Sequence, residues 1–401
     1  MENLITVEDA LNLVLQHTRD FGTESVELEN ALGRILRDEI VADRDFPPYN
    51  RVTMDGIAIS HAAFKKGQRT FLIEGVAAAG DKQHELRDSS ACLEVMTGAV
   101  MPRNADAVIR YEDVFIDGRQ ATIEVPAVTK HQNIHMKGED RTAGSCIITP
   151  GVKISSPEIG VCATVGKSTV RVSRFPKTII ISTGDELVDI HEVPEPHQIR
   201  RSNVYRLKTV LSYFGVPVET AHLKDDESEI SEALDQYLKS YDLILISGGV
   251  SRGKFDFLPA ALEVAGVKKL FHKIKQRPGK PFWFGVHDRA TVFAFPGNPV
   301  SSFMCMQQYF KPWLQKCLHQ QIPPQPRAML TEDVHFKPDL TYFLEVKISY
   351  SENAELLATP VKGNGSGDLA NLVDAEAFIV LPSGKDLFQQ GEVYPLIFYR
   401  E

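Results

Sequence analysis

Between residues 177 and 318 the chain alternates short apolar runs with segments of helical period, and this pattern restricts the fold more than any other in the sequence. Residues 178–182 (TIIIS) are apolar and of strand length. Residues 203–214 place Leu207, Val210, Leu211 and Phe214 on one helical face. Residues 216–223 read as a second strand and 227–238 as a second helix. Residues 243–247 and 257–265 repeat the pair, and a strand at 291–295 meets a long helix from about Val300. Strands apolar throughout must be covered on both faces, and alternating helices return each strand parallel to the last. The segment therefore predicts a doubly wound α/β domain with a parallel sheet.

The flanking regions differ. The start of the chain reads as a helix capped by Thr6, with Glu8 and Asp9 in its first turn. A Pro-rich link, DFPPY, spans residues 45–49. Residues 71–128 hold short strands with frequent turns and little helical period, the pattern of a small β domain. The three prolines in residues 321–327 (QIPPQPR) mark a linker, and the short alternating segments beyond it predict a second β domain. A length of 401 residues suits several such domains. A net charge of −9 gives no general attraction to nucleic acid. No apolar run is long enough to span a membrane. The five scattered cysteines, with no CxxC pair, predict reduced thiols and a cytoplasmic protein.

In an open α/β sheet, ligands gather outside the carboxyl ends of the strands. This sequence puts four polar turns there: TGDE (183–186), KDD (224–226), SGGVSRGKFD (247–256) and PGNPVSS (296–302). The third resembles a P-loop in Gly248, Gly253 and Lys254. Phe255, however, stands where a P-loop needs Ser or Thr for its magnesium ion. Gly248 and Gly249 let backbone approach a ligand, and Ser251 with the amides before the next helix can receive an anion. Asp256 is either that helix's cap or a metal ligand. Pro296 and Pro299 stiffen the last turn, where Asn298 can cap the following helix. Asp185, Glu186, Asp225, Asp226 and Asp256 beside a phosphate would require a cation, and hard oxygen donors select Mg2+ or a similar ion. His131 and His135 have an i, i+4 spacing but no HExxH context, so they are set aside as a zinc pair. GNGSG (363–367) reads as a loop and a candidate site wall.

These turns resemble one family, the molybdopterin molybdenumtransferases of the MoeA type, related to the C-terminal domain of gephyrin. The matching pieces are TMDGIA (53–58), MTGA (96–99), ADAVI (105–109), GEDR (138–141), STGDEL (182–187), SGGVSRGKFD, RPGKP (277–281) and PGNPVS, in the family's order over nearly the whole chain. Four departures stand out: Val52 and Thr53 replace the usual Ser-Ala before MDG, Ile57 replaces Tyr, Arg277 stands where Lys is common, and Phe295 replaces Leu. The resemblance implies four domains. Residues 1–46 and 141–176 would form an elongated N-terminal domain and 47–140 an inserted β domain. Residues 177–326 would be the molybdopterin-binding domain and 327–401 a β-barrel-like domain.

The activity implied is molybdenum insertion into adenylylated molybdopterin with release of AMP, using molybdate and a divalent cation such as Mg2+. Asp55, Asp140, Glu186 and Asp256 would be catalytic acids, and Glu186, Asp225, Asp226 and Asp256 metal ligands. Thr97, Thr183, Gly184, Asp185, Ser247, Gly248, Gly249, Ser251, Arg277, Lys280, Pro296, Gly297, Asn298, Pro299 and Ser301 would bind the substrates. The family also implies a homodimer, its cleft shared between the doubly wound domain of one subunit and the first half of the other. Handover to or from a molybdopterin adenylyltransferase is a further expectation. The alternatives are an ATP-dependent molybdopterin adenylyltransferase and a gephyrin-like binding scaffold. The N-terminal segments with MDG weigh against the first, and the retained acids against the second.

Overall fold

A computed structural model describes residues 4–250, 257–363 and 365–400. The chain divides into two compact units, one of residues 1–37, 150–156 and 169–401, the other of residues 38–149 and 157–168.

The first unit is built on the alternating segment. Its elements are β1 (Thr178–Thr183), α1 (Ser202–Tyr213), β2 (Val218–Leu223), α2 (Glu227–Ser240), β3 (Leu243–Ser247), α3 (Leu258–Val264), β4 (Lys268–His272), β5 (Trp283–Val286), β6 (Thr291–Phe295), α4 (Pro299–Cys305) and α5 (Lys311–Cys317). The sheet order is β2-β1-β3-β6-β5-β4. Every residue of β1, β3 and β6 is buried. Alternate side chains of these strands feed two cores. Ile180, Leu243, Leu245, Phe293 and Phe295 pack with residues of α1, α4 and α5. Ile179, Ile181, Ile244, Ile246 and Val292 pack with residues of α2 and α3. Both faces are thus covered, as continuous apolar strands demand.

The four strands expected from the sequence form the parallel sheet, and two further strands extend it. β2, β1, β3 and β6 run parallel, but β5 pairs antiparallel with β6, and β4 antiparallel with β5. The edge strand β4 begins with Lys268 and Lys269, both exposed, charges that suit an edge and hide its strand character in the sequence. The long helix after β6 is also interrupted. A π turn, Met306–Phe310, separates α4 from α5. Pro312 accounts for it: proline offers no N–H to the carbonyl four residues back, and its ring pushes that carbonyl aside.

Beyond the linker, β7 (Arg327–Leu330), β8 (Thr341–Tyr350), β9 (Leu356–Pro360), β10 (Ala377–Leu381) and β11 (Val393–Phe398) follow. The order β8-β9-β7-β11-β10 closes through a β8–β10 pairing into a five-stranded barrel around Val346, Ala358, Ile379 and Leu396. A short strand, Gln276–Arg277, adds to β8 in parallel register. The helix Val7–Gln16 starts as expected, with Thr6 Oγ1 accepting the Asp9 amide.

The second unit carries a six-stranded sheet, in the order Ala107–Arg110, Gly56–Ile59, Ala91–Val95, Thr70–Ala77, Gln120–Ile123 and Val114–Asp117. Its predicted strands are present, with Gly56–Ile59 in addition. All five cysteines are unpaired. Among the described residues, no helix is long and apolar enough to cross a membrane.

Candidate active site

Two adjoining cavities open at the carboxyl ends of β1, β3 and β6. One, of about 360 Å³, is lined by Arg277, Lys280, Pro296, Gly297, Asn298, Ser301, Leu340 and Ser366, among others. The second, of about 250 Å³, is lined by Thr183, Glu186, Asn203, Ser247, Gly248, Gly297, Asn298 and Pro299, among others. Gly297 and Asn298 belong to both. Ten of the expected substrate-binding residues therefore gather here with Glu186.

The donors are arranged for an anion. Arg277 and Lys280 are exposed, and among the described residues neither pairs with a carboxylate. Thr183 is only 4% exposed, yet among the described residues its buried Oγ1 has no hydrogen-bond partner. A buried orphan hydroxyl costs roughly 1–3 kcal/mol, which a ligand or water lining the cavity recovers. Gly248, at φ +103°, passes so close to Thr183 that a Cβ there would sit 2.8 Å from its carbonyl oxygen. The cradle therefore depends on the absence of that side chain. Gly249 packs on the same threonine, a Cβ there lying 3.0 Å from Thr183 Oγ1, and Gly184 carries the chain from Thr183 into the first turn.

The acids behave differently from one another. Glu186 lines the second cavity. Asp185 accepts the Asp225 amide at 3.3 Å, so the first and second turns are tied together. Asp226 is the N-cap of α2 and accepts the Glu229 amide at 2.9 Å, a structural duty the sequence left open. Among the described residues, no three His, Cys, Asp or Glu side chains converge as a metal cage. Mg2+, however, usually takes one or two carboxylates and completes its shell with phosphate and water. Glu186 facing a cavity with phosphate-type donors fits that mode. Ser251 and Asp256 lie outside the described residues.

Three expected residues sit in the second unit. Asp55 Oδ1 accepts both the amide (2.6 Å) and the hydroxyl (2.8 Å) of Thr97, and these bonds hold its carboxyl below the ordinary range. Thr97 thus positions Asp55. Asp140 Oδ1 lies 3.0 Å from His135 Nε2, and Arg51 Nη2 lies 3.1 Å from His135 Nδ1. Arginine can only donate, so Nδ1 accepts and Nε2 carries the proton toward Asp140. His135, set aside as a zinc ligand, is an orienting partner for Asp140.

The structure also corrects the role of Asn298. It occupies the N-cap position of α4 without a side-chain capping bond. Its amide donates instead to Ser366 Oγ at 2.9 Å, and the Val300 amide donates to the Ser366 carbonyl at 3.1 Å. The loop around Ser366 therefore walls the first cavity. Gln276, fully buried, supports the facing wall: its Nε2 donates to Gly279 O at 3.0 Å and its Oε1 accepts the Tyr309 hydroxyl. Tyr309 lies in the π turn, a frequent location of functional distortions.

Fold and site define an α/β enzyme whose polar, glycine-rich turns collect at the carboxyl ends of a doubly wound sheet, closed on one side by a β-barrel domain. Three family models match: the MoeA N-terminal region (domains I and II) over residues 5–166, the probable molybdopterin binding domain over 179–316, and the MoeA C-terminal region (domain IV) over 327–398. The chain is similar to the molybdopterin molybdenumtransferase of Synechocystis sp., 39% identical over 98% of this chain and 99% of that protein. It is 31% identical to that of Bacillus subtilis, over 99% of this chain and 94% of that one. The crystal structure of the molybdopterin biosynthesis moeA protein from Pyrococcus horikoshii superposes with a TM-score of 0.85 at 28% identity, covering 99% of this chain and 100% of that one. The chain belongs to the molybdopterin molybdenumtransferase family.

Proposed function

We propose that the paired cavities cleave the phosphoanhydride of adenylylated molybdopterin, release AMP, and deliver molybdenum from molybdate to the dithiolene sulfurs, one molybdate oxygen leaving as water with the two thiol protons. The enzyme is a transferase of molybdenum cofactor biosynthesis. The carrying observation is the donor set: among the described residues, Arg277 and Lys280 beside one cavity have no carboxylate partner, and the Thr183 hydroxyl buried against the other has no hydrogen-bond partner. Both features favour an anionic ligand.

In the cleavage, a water oxygen bonds to one phosphorus and the bridging P–O bond breaks. The bridging oxygen stays with the other phosphate, and one proton is released. The residues contribute by positioning the groups and stabilising charge, which carry most of the catalysis in phosphoryl chemistry. Thr183 and Ser247 offer hydroxyls to phosphate oxygens, and Gly248 allows backbone contact. Arg277 and Lys280 hold a second anionic group, for which molybdate is the reading. Glu186 would hold a divalent cation, which when bound supplies neutralisation of phosphate charge. The family resemblance supports a homodimer receiving its substrate from a molybdopterin adenylyltransferase.

The test is incubation with adenylylated molybdopterin, molybdate and Mg2+. AMP release with gain of cofactor activity is expected. Consumption of ATP and molybdopterin, with no use of the adenylylated compound, would reassign the chain as an adenylyltransferase.

A further inference from the structure

Against Asn203 and Pro299 of the second cavity stands a partly buried guanidinium, that of Arg206. Among the described residues, no carboxylate lies within salt-bridge distance of Arg206. Burial brings its pKa down to about 10, so it remains charged at neutral pH. Holding such a charge without a counter-ion is costly, and a structural role alone could be filled by a neutral side chain.

The hydrogen bonds around Arg206 run in one direction. Its Nη2 donates to Asn203 Oδ1 and to Pro299 O, each at 2.7 Å. Because arginine only donates, this settles which end of the Asn203 amide faces it. The opposite end, Nδ2, donates to Gly297 O at 2.7 Å and to Ser247 Oγ at 3.0 Å. Ser247 is 4% exposed and lines the cavity. Its oxygen is occupied as an acceptor, and among the described residues its hydrogen has no acceptor. A chain of donors, each polarising the next, therefore ends in a hydroxyl hydrogen free for a ligand.

We propose that Asn203 and Arg206 are positioning residues for the phosphate of the substrate, fixing Ser247 as a donor and placing positive charge one layer behind it. Their direction of donation makes the cavity selective for an acceptor-only group, a phosphate oxygen rather than a neutral hydroxyl or amine. The inference rests on the proposed phosphoanhydride substrate and adds to it residues outside the turn motifs.

The Asn203→Asp variant separates this role from a structural one. Its carboxylate gains an ion pair with Arg206 but loses the donor to Gly297 O, so a melting curve must first show the variant folded. Toward Ser247 it becomes an acceptor, drawing the hydroxyl hydrogen away from the ligand and adding negative charge. Calorimetric titration of the folded variant with AMP should show affinity reduced at least about tenfold, the scale of one lost charge-assisted hydrogen bond. Ser247→Ala, which leaves the Asn203–Gly297 bond in place, should lose a similar factor. The double variant should lose little more, because both changes remove one interaction. AMP binding by either folded single variant at wild-type affinity overturns the inference alone. A wild-type chain that binds neither AMP nor inorganic pyrophosphate overturns the phosphoanhydride reading, and the inference with it.

Discussion

Replacing Gly279 by alanine tests whether the Arg277–Lys280 turn is held by close packing. Gly279 has φ +84°, a left-handed conformation that costs an L-residue roughly 1–2 kcal/mol. A Cβ there would lie 2.6 Å from Cys305 Sγ and 2.9 Å from both Gln276 Nε2 and Met304 Cε. Cys305 and Met304 are fully buried on α4 and Gln276 is fully buried beside the turn, so none can swing into solvent. Forcing one extra carbon into such a core costs about 1–3 kcal/mol. Together the strain and the crowding cost about 3 kcal/mol, or a fall in melting temperature of ~6–12 °C for a unit of this size. The same shift would move Arg277 and Lys280 and weaken binding of the anion proposed for them.

The assay is urea unfolding of wild type, Gly279→Ala, Cys305→Ala and the double variant. Removing Cys305 Sγ relieves the nearest clash but not the backbone strain. The cycle should therefore show a favourable coupling of about 1–2 kcal/mol, with the remaining cost traceable to φ. A cost below about 1 kcal/mol for Gly279→Ala, or no coupling to Cys305→Ala, would refute the packing argument and leave the turn's position unexplained.

Three further outcomes are expected. Asp226→Ala should lose about 1 kcal/mol of stability while Asp226→Asn loses almost none, because asparagine caps as well as aspartate; equal losses by chemical denaturation would remove the capping role. Asp20 is held at about 2 by the Arg37 side chain and then by the Gly22 amide. A depressed carboxylate pKa stabilises the fold above its ordinary value of 3.8 and loses that contribution as pH falls toward 2. Asp20 is half exposed, so screening limits the effect to under about 1 kcal/mol. Asp20→Asn should therefore be slightly less stable than wild type at pH 6 and equal to it near pH 2, and a constant gap across that range would contradict the linkage. Finally, inactive Asp55→Asn and Glu186→Gln chains, mixed with verified subunit exchange, should regain about a quarter of wild-type AMP release if the cleft is shared in a twofold dimer, and none if each chain is self-sufficient.

The sheet was legible where burial is complete. Apart from a Thr or Ser at their ends, TIIIS, LILIS and TVFAF are wholly apolar, so their neighbours on both faces were implied by the strands themselves. The cavity turns were legible for a related reason: they follow those strands directly, and the carboxyl edge of a doubly wound sheet is where ligands collect. β4 and β5 were not. Lys268 and Lys269 disguise one edge strand, and Gly285 weakens the β signal of the other. The π turn depends on Pro312, whose effect falls on residues before it.

What remained hidden in the site has a common physical cause. Asn298 and Ser366 are 68 residues apart and meet only because the barrel loop returns to the sheet edge. Asn203 and Arg206 lie one turn apart on α1, where polar residues ordinarily mark a solvated face. Their function appears only when Ser247 and Gly297, 44 and 94 positions from Asn203, supply acceptors on the same side. A turn motif announces itself because its residues act through backbone shape in consecutive positions. A positioning residue acts through one side-chain bond to a distant element, and no local pattern records that bond. The residues that touch an anion are therefore readable from sequence before the residues that orient them.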